Sequence, residues 1–221
     1  MGARTRGRGR PTAGVRPLPR VHAFTDADLL ALPEFGIRAA AIAAGGAAVA
    51  LHARARGASA ALLSAGASRM MALARPAEAA VFVNGRPDIA AALGAHGVQL
   101  GSGDLAPADA RRLLPRGWIG RSVHTPEEAA TAVSEGADFL VVGNIYATLS
   151  HPGRPAAGLT LVTQAAGLGR PVIAIGGITP DRAAEVKAAG GYGVAAIRAL
   201  WMAADPAAAT LAMLLPWTSD T

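Results

Sequence analysis

PVIAIGGITPDR, residues 171–182, joins an apolar run, two glycines and a helix start in one short stretch. Val172 to Ile175 is the continuous apolar run expected of a parallel strand covered on both faces. Gly176 and Gly177 follow, and glycine lets backbone amides come close to a ligand. Thr179 before Pro180 supplies a favoured N-cap residue and then a favoured first helical residue. A strand that ends in glycines and enters a helix suits a phosphate group, because helix starts present unpaired N–H groups to anions. The same residues read alone also suit a plain tight turn.

The strand-then-helix unit recurs on both sides of this stretch. Strands are expected at 21–26, 48–54, 80–84, 97–101, 118–122, 138–143, 171–176 and 193–197. Helices are expected at 28–43, 59–74, 88–96, 107–114, 126–136, 160–167 and 181–190, with a last helical region after 197 that is interrupted at Pro206. Eight short apolar strands alternating with helices point to an α/β fold, a single (β/α)8 TIM barrel over residues 21–215. A doubly wound open sheet is the alternative, and the count of eight units favours the barrel.

Composition narrows the function. The hydrophobic fraction is 52%, yet no apolar run approaches the ~18 residues of a membrane span. The chain has no cysteine, which excludes disulfides, thiolate catalysis and cysteine-ligated metal. The formal charge of +6 equals the six arginines of residues 1–20, a segment without an acid, so the remainder is near neutral. This Arg/Gly/Pro-rich segment reads as a disordered tail and lacks the apolar stretch of a secretory signal. No specific nucleic-acid partner and no membrane partner is expected, and the cytoplasm is the expected compartment. Lys187 is the only lysine and lies in a polar helical stretch, which argues against Schiff-base chemistry.

Barrel chemistry sits at the C-terminal ends of the strands. Those ends carry His52 and Arg54, Asn84, Gln99 with Asp104, Ser122 and His124, the loop 144–158, Gly176 and Gly177, and Ile197 with Arg198. His124 is the acid–base candidate. It precedes Thr125-Pro126-Glu127-Glu128, which has the spacing of a capping box with proline at the first helical position. Gly176, Gly177, Ile197 and Arg198 form the phosphate candidate, since the loops after strands seven and eight often bind phosphate in this fold. His52, Arg54 and Arg56 alternate and share one strand face, although Arg56 also reads as a solvent-exposed loop residue. Thr148 and His151 lie in a Pro/Gly-rich loop that can act as a lid. Asp104 alone is a thin case for magnesium.

Four motifs, NGRPDIAAAL (84–93), GVQLGSGDLAP (97–107), IGRSVHTPEEA (119–129) and PVIAIGGITPDR (171–182), resemble the thiamine phosphate synthase/TenI superfamily, in order and at barrel spacing. The resemblance implies the same barrel, a homodimer, and one of two activities. The synthase joins hydroxymethylpyrimidine pyrophosphate to a thiazole phosphate and releases pyrophosphate with Mg²⁺. The TenI-like branch is a thiazole tautomerase that aromatises a carboxythiazole phosphate without metal. The synthase pattern has Asn-Asp where Asn84-Gly85 stands, glutamine where His52 stands and lysine where His151 stands. It also has an acid where Asp104 stands. The forms NGR, RSVH and His52 look closest to the TenI-like branch, in which the histidine matching His124 moves the proton. Serine is usual where Arg198 stands, and TenI-like proteins usually carry glutamate where Ala55 stands.

The expectation from sequence is therefore a TenI-like isomerase with no cofactor. His124 is catalytic; Gly176, Gly177, Ile197 and Arg198 hold the phosphate of a small thiazole phosphate. His52, Arg54, Asn84, Ser122, Thr148 and His151 make the other contacts. Thiamine phosphate synthase, with Mg²⁺ on Asp104, is the alternative, and a non-catalytic thiazole-phosphate-binding regulator is a third reading.

Overall fold

The computed structural model describes residues 16–148 and 155–220. Eight strands close into a parallel barrel in sequence order: β1 Val21–Phe24, β2 Val49–Ala53, β3 Ala80–Asn84, β4 Gly97–Leu100, β5 Trp118–Val123, β6 Phe139–Gly143, β7 Val172–Ile175 and β8 Gly193–Ala196. β1 pairs with both β2 and β8, so no edge strand is left unpaired. The helices between them are α1 Ala27–Ala31, α2 Phe35–Ala43, α3 Ala60–Ala74, α4 Pro87–Leu93, α5 Pro107–Leu113, α6 Pro126–Ser134, α7 Gly158–Ala166, α8 Pro180–Ala188, α9 Arg198–Trp201 and α10 Pro206–Leu214. This is the (β/α)8 architecture that the sequence pattern implies. Among the described residues no helix is long and apolar enough to cross a membrane.

The helix expected over 28–43 is two helices. Leu32 precedes Pro33, and the proline ring pushes the preceding residue out of the helical region. Leu32 accordingly has φ −61° and ψ 136°, and the chain restarts as α2.

Outward-facing Val, Leu, Ile and Ala of the strands pack under the helices as one continuous apolar layer. The inward face is a second cluster that includes Ala50, Ala80, Phe82, Phe139, Val141, Ile173 and Ala195. Large and small residues alternate there because the interior of an eight-stranded barrel just holds side chains. A Cβ on Gly97 would lie 2.4 Å from the Phe82 ring, and one on Gly120 would lie 2.3 Å from the Phe139 ring.

Polar groups also sit inside this core. His22 and His52 are fully buried and their rings meet at 2.8 Å, Nδ1 of His22 to Nε2 of His52. His22 Nε2 lies 3.0 Å from the Pro19 carbonyl oxygen, and His52 is stacked between Phe24 and Phe82.

Residues 16–20, grouped with the tail by the sequence reading, form the barrel floor instead. Leu18 is buried against the inner cluster, and its carbonyl accepts from the Tyr192 hydroxyl at 2.8 Å. The Arg20 guanidinium sits 3.7 Å from the Tyr192 ring centre, and Trp118 Nε1 donates to the Arg16 carbonyl. Composition hid this because one apolar side chain, Leu18, does the filling. Residues 1–15 lie outside the described residues.

Burial lowers the His22 pKa to about 4, partly offset by its bond to the Pro19 carbonyl. The unfolded chain, with an ordinary histidine near 6.5, binds this proton first on acidification. Stability is therefore present in full above pH 6.5 and falls as the pH drops to about 4, by roughly 3 kcal/mol for this ring. Urea unfolding followed from pH 7 to 4 should reveal that slope. An unchanged midpoint across the range would contradict a neutral buried pair.

Candidate active site

All eight strand ends converge on one cavity of about 1250 Å³ at the C-terminal mouth of the barrel. The strand order sets β3 opposite β7 and β4 opposite β8. The lining thus divides into two facing halves with different chemistry.

On the β6–β8 side the wall is backbone. Gly176 and Gly177 have φ +100° and +64°, a region that favours glycine. The segment after β6 crosses directly over them. Ile145 N–H donates to the Ile175 carbonyl and Tyr146 N–H to the Gly176 carbonyl. A Cβ on Gly177 would lie 2.6 Å from the Ala147 oxygen, and one on Gly176 would lie 2.5 Å from Asn144 Cβ. The two glycines therefore serve the packing of this loop as well as the cavity wall. Thr179 is the N-cap residue of α8 by position, with Pro180 next, but its side chain makes no capping bond. It lines the cavity with Ile178 and Arg182, whose Nη1 donates to the Gly177 carbonyl at 2.5 Å. Ile197, Arg198 and Thr148 complete this half.

The β2–β4 side is cationic. Arg54 and Arg56 line it, and like Arg198 they form no ion pair within 4 Å among the described residues. Burial, and then the charge of Arg56, push the Arg54 guanidinium below its ordinary value, with Asp26 opposing. Arg56 lies in the turn after β2, as the loop reading has it, and still reaches the cavity rim. Arg86 also lines the cavity but is held by Asp88 at 2.8 and 2.5 Å.

Asp104 projects into the same half. Its Oδ2 accepts from Gly101 N–H at 2.6 Å, and Oδ1 has no hydrogen bond among the described residues. Gly85, at φ +73°, lies beneath it, and a Cβ there would meet Asp104 Oδ1 at 3.1 Å. No group of three or more His, Cys, Asp or Glu side chains suitable for metal occurs among the described residues. One carboxylate with a free oxygen fits a magnesium ion that takes its other ligands from water and phosphate oxygens. The other lining carboxylate, Asp26, is occupied in capping α1 through Leu29 N–H.

His124 stands at the end of β5. The capping box is present with one shift: Thr125 Oγ1 accepts from Glu128 N–H, and the Glu128 carboxylate accepts from His124 N–H rather than from the cap residue. The His124 ring turns its Nδ1 to the Gly143 carbonyl, which fixes the proton on that nitrogen. In the neutral ring Nε2 then keeps the lone pair, and the residue lines the cavity beside Ser122.

Asn84, Arg54, Ser122, His124, Thr148, Gly176, Gly177, Ile197 and Arg198 thus come together at one mouth. His52 does not. Its strand position is right, but it points into the closed core, stacks between two phenylalanines and reaches the cavity only through Asn84 at 3.1 Å. Its neighbours exclude it from ligand contact. His151 lies outside the described residues. Lys187 is on α8 and donates to the Pro216 carbonyl, outside the cavity lining. Arg86, Arg182 and Asp26 were missed from sequence, although Asp26 and Arg86 lie in βα loops and Arg182 lies in the first turn of α8 just after one, which is the positional signal for a site in this fold.

The thiamine monophosphate synthase (TMP-TENI) family profile matches residues 23–200. The thiamine-phosphate synthase of Thermus thermophilus is 48% identical over 147 residues, spanning 66% of this chain and 71% of that protein. That of Anaeromyxobacter dehalogenans is 44% identical over 176 residues, spanning 77% and 78%. The solved thiamine phosphate pyrophosphorylase from Pyrococcus furiosus superposes with a TM-score of 0.77 at 32% identity, over 89% of this chain and 94% of that one. The chain belongs to this family. The relatives carry the synthase name, not that of the TenI-like tautomerase branch.

Gly177→Ala should lower stability by about 1–3 kcal/mol, through its positive φ and the clash with Ala147. Gly103→Ala, in the same cavity with open space around it, should change stability by less than about 0.5 kcal/mol. Equal urea midpoints for the two variants would contradict the crossing of the β6 loop over Gly177.

Proposed function

We propose that this protein is a thiamine phosphate synthase, joining hydroxymethylpyrimidine pyrophosphate to a thiazole phosphate with release of pyrophosphate. The observation that carries this reading is the pair of anion-suited half-walls in one cavity: arginines with Asp104 on the β2–β4 side, glycine backbone with Arg198 on the β6–β8 side. The carboxythiazole phosphate of a tautomerase also carries two anionic groups, a phosphate and a carboxylate. Two arginines beside a carboxylate that suits magnesium match the greater charge of a pyrophosphate better than that of a single carboxylate. The names of the relatives support the same reading.

In the bond exchange the thiazole ring nitrogen attacks the pyrimidine's exocyclic carbon. The C–N bond forms, the C–O bond breaks, and the electron pair leaves on pyrophosphate. Arg54 and Arg56 hold the leaving pyrophosphate, and their charges offset the charge that grows on it. Gly176, Gly177, Ile197 and Arg198 hold the thiazole phosphate and so fix the attacking nitrogen, which converts a two-body encounter into an oriented one. Magnesium, held by Asp104, would add Lewis-acid stabilisation of the leaving group. His124 moves no proton in this exchange and contributes to the cavity wall.

The tautomerase is the second reading, supported by the fixed His124 tautomer with its free Nε2 and by Gly85 beside the single carboxylate. The two readings separate by mutation. In a pyrophosphate-release assay with both substrates and Mg²⁺, Asp104→Asn should lower the rate about 100-fold and His124→Ala less than about 10-fold. Aromatisation of the carboxythiazole phosphate tautomer by wild-type protein, with EDTA present and abolished by His124→Ala, would overturn the synthase in favour of the tautomerase.

A further inference from the structure

At the opposite end of the barrel from the active-site mouth, beside the starts of β3 and β4, lies a second cavity of about 570 Å³. None of its lining residues belongs to the mouth. Its wall holds a contact between two side chains that ordinary pairing does not explain: Arg16 Nη1 lies 3.3 Å from His96 Nε2.

His96 is fixed at three points. Its backbone N–H donates to the Val81 carbonyl at 2.8 Å, and its carbonyl accepts from Trp118 N–H at 3.0 Å. Its ring Nδ1 accepts from Val81 N–H at 3.0 Å. A ring nitrogen that accepts carries no proton, so the proton of the neutral ring is on Nε2. Burial, and then the Arg16 charge, hold this ring below its ordinary pKa, so it is neutral at pH 7. A guanidinium offers donors only. Two N–H donors therefore face each other across 3.3 Å. The pair is repulsive by itself and becomes favourable when one oxygen accepts from both. Arg16 is held in turn, because its carbonyl accepts from Trp118 Nε1 at 3.0 Å.

The surroundings suit an anion. Arg75, in the turn Arg75–Ala77 after α3, lines the same cavity. Glu78 lines it too, yet among the described residues neither Arg16 nor Arg75 has a carboxylate within 4 Å. Two guanidinium charges against one acid favour a phosphate dianion over a carboxylate. Met71, Ala72 and Ala79 add apolar wall, and the volume falls in the range of small-molecule sites, about 300–1,000 Å³, rather than that of a bare ion. Residues at this end of a barrel ordinarily serve stability. A pair of opposed donors does not.

We propose that this floor cavity is a second binding site, separate from the active site, for a small phosphorylated organic molecule. One phosphate oxygen accepts from Arg16 Nη1 and His96 Nε2 together, Arg75 adds charge, and the organic part lies on the apolar wall.

Nitrogen-15 NMR of histidine-labelled protein at pH 7 tests this first without ligand. His96, assigned by the signal lost in His96→Gln, should be the Nε2–H tautomer; Nδ1–H overturns the proposal. Phenyl phosphate is the probe that joins a phosphate to an apolar body. It should shift the His96 Nε2 signal saturably, with a midpoint below about 1 mM. Arg16→Gln should weaken that midpoint at least about 10-fold and Arg75→Gln about 3-fold. No saturable shift overturns the proposal. Midpoints unchanged in both variants overturn it as well, by tracing the shift to the mouth. Inorganic phosphate binding as tightly as phenyl phosphate means an adventitious ion only, and benzoate binding as tightly replaces the phosphate class with a carboxylate; either result overturns it. If Arg16→Gln fails to fold, Arg75→Gln, at an exposed position, still decides.

Discussion

Barrel closure is the constraint on which the rest depends. Once β1 pairs with β8, every strand has two neighbours and the inward face of the sheet becomes a closed space with two ends. That space must be filled, and its polar contents must find partners within it. One end is stopped by residues 16–20, with Leu18 buried and Pro19 offering its carbonyl. The other end stays open because eight loops diverge from it, and the cavity forms there. The buried histidine pair links the stopper to the cavity, so the floor of the barrel and the base of the site belong to one hydrogen-bonded unit.

Most of the fold was legible because both strand faces are covered. A strand packed on helices outside and on its neighbours inside reads as an apolar run, and Val172 to Ile175 sets the pattern. The strand bounds from sequence match the structure to within two residues. The split of the first helix at Pro33 follows a local steric rule that the alanine-rich composition concealed. The floor was not legible, because it depends on a contact between Leu18 and strands far away in sequence.

The site was legible by position and less so by orientation. Strand ends named the right loops, and Asn84, His124 and the glycines do line the mouth. Alternation gave His52 the inward face correctly. It could not tell the closed core from the open mouth, which differ by one layer along the same face, and His52 falls in the lower layer. Arg86 and Arg182 escaped notice because arginine in a loop or at a helix start is ordinary; only the tertiary fold brings them to the cavity. The reading of Gly85 as a lost carboxylate pointed to the tautomerase branch. The surroundings qualify that loss: Arg54 and Arg56 supply positive charge on the same wall, so anion binding there does not rest on metal alone.

The central claim is that one mouth holds two phosphorylated ligands at once, on facing walls. The direct measurement is a calorimetric titration of the thiazole phosphate into protein already saturated with pyrophosphate and Mg²⁺. The account predicts full binding stoichiometry with affinity unchanged or improved. Competition, in which pyrophosphate abolishes thiazole phosphate binding, would contradict it by reducing the two walls to a single anion site.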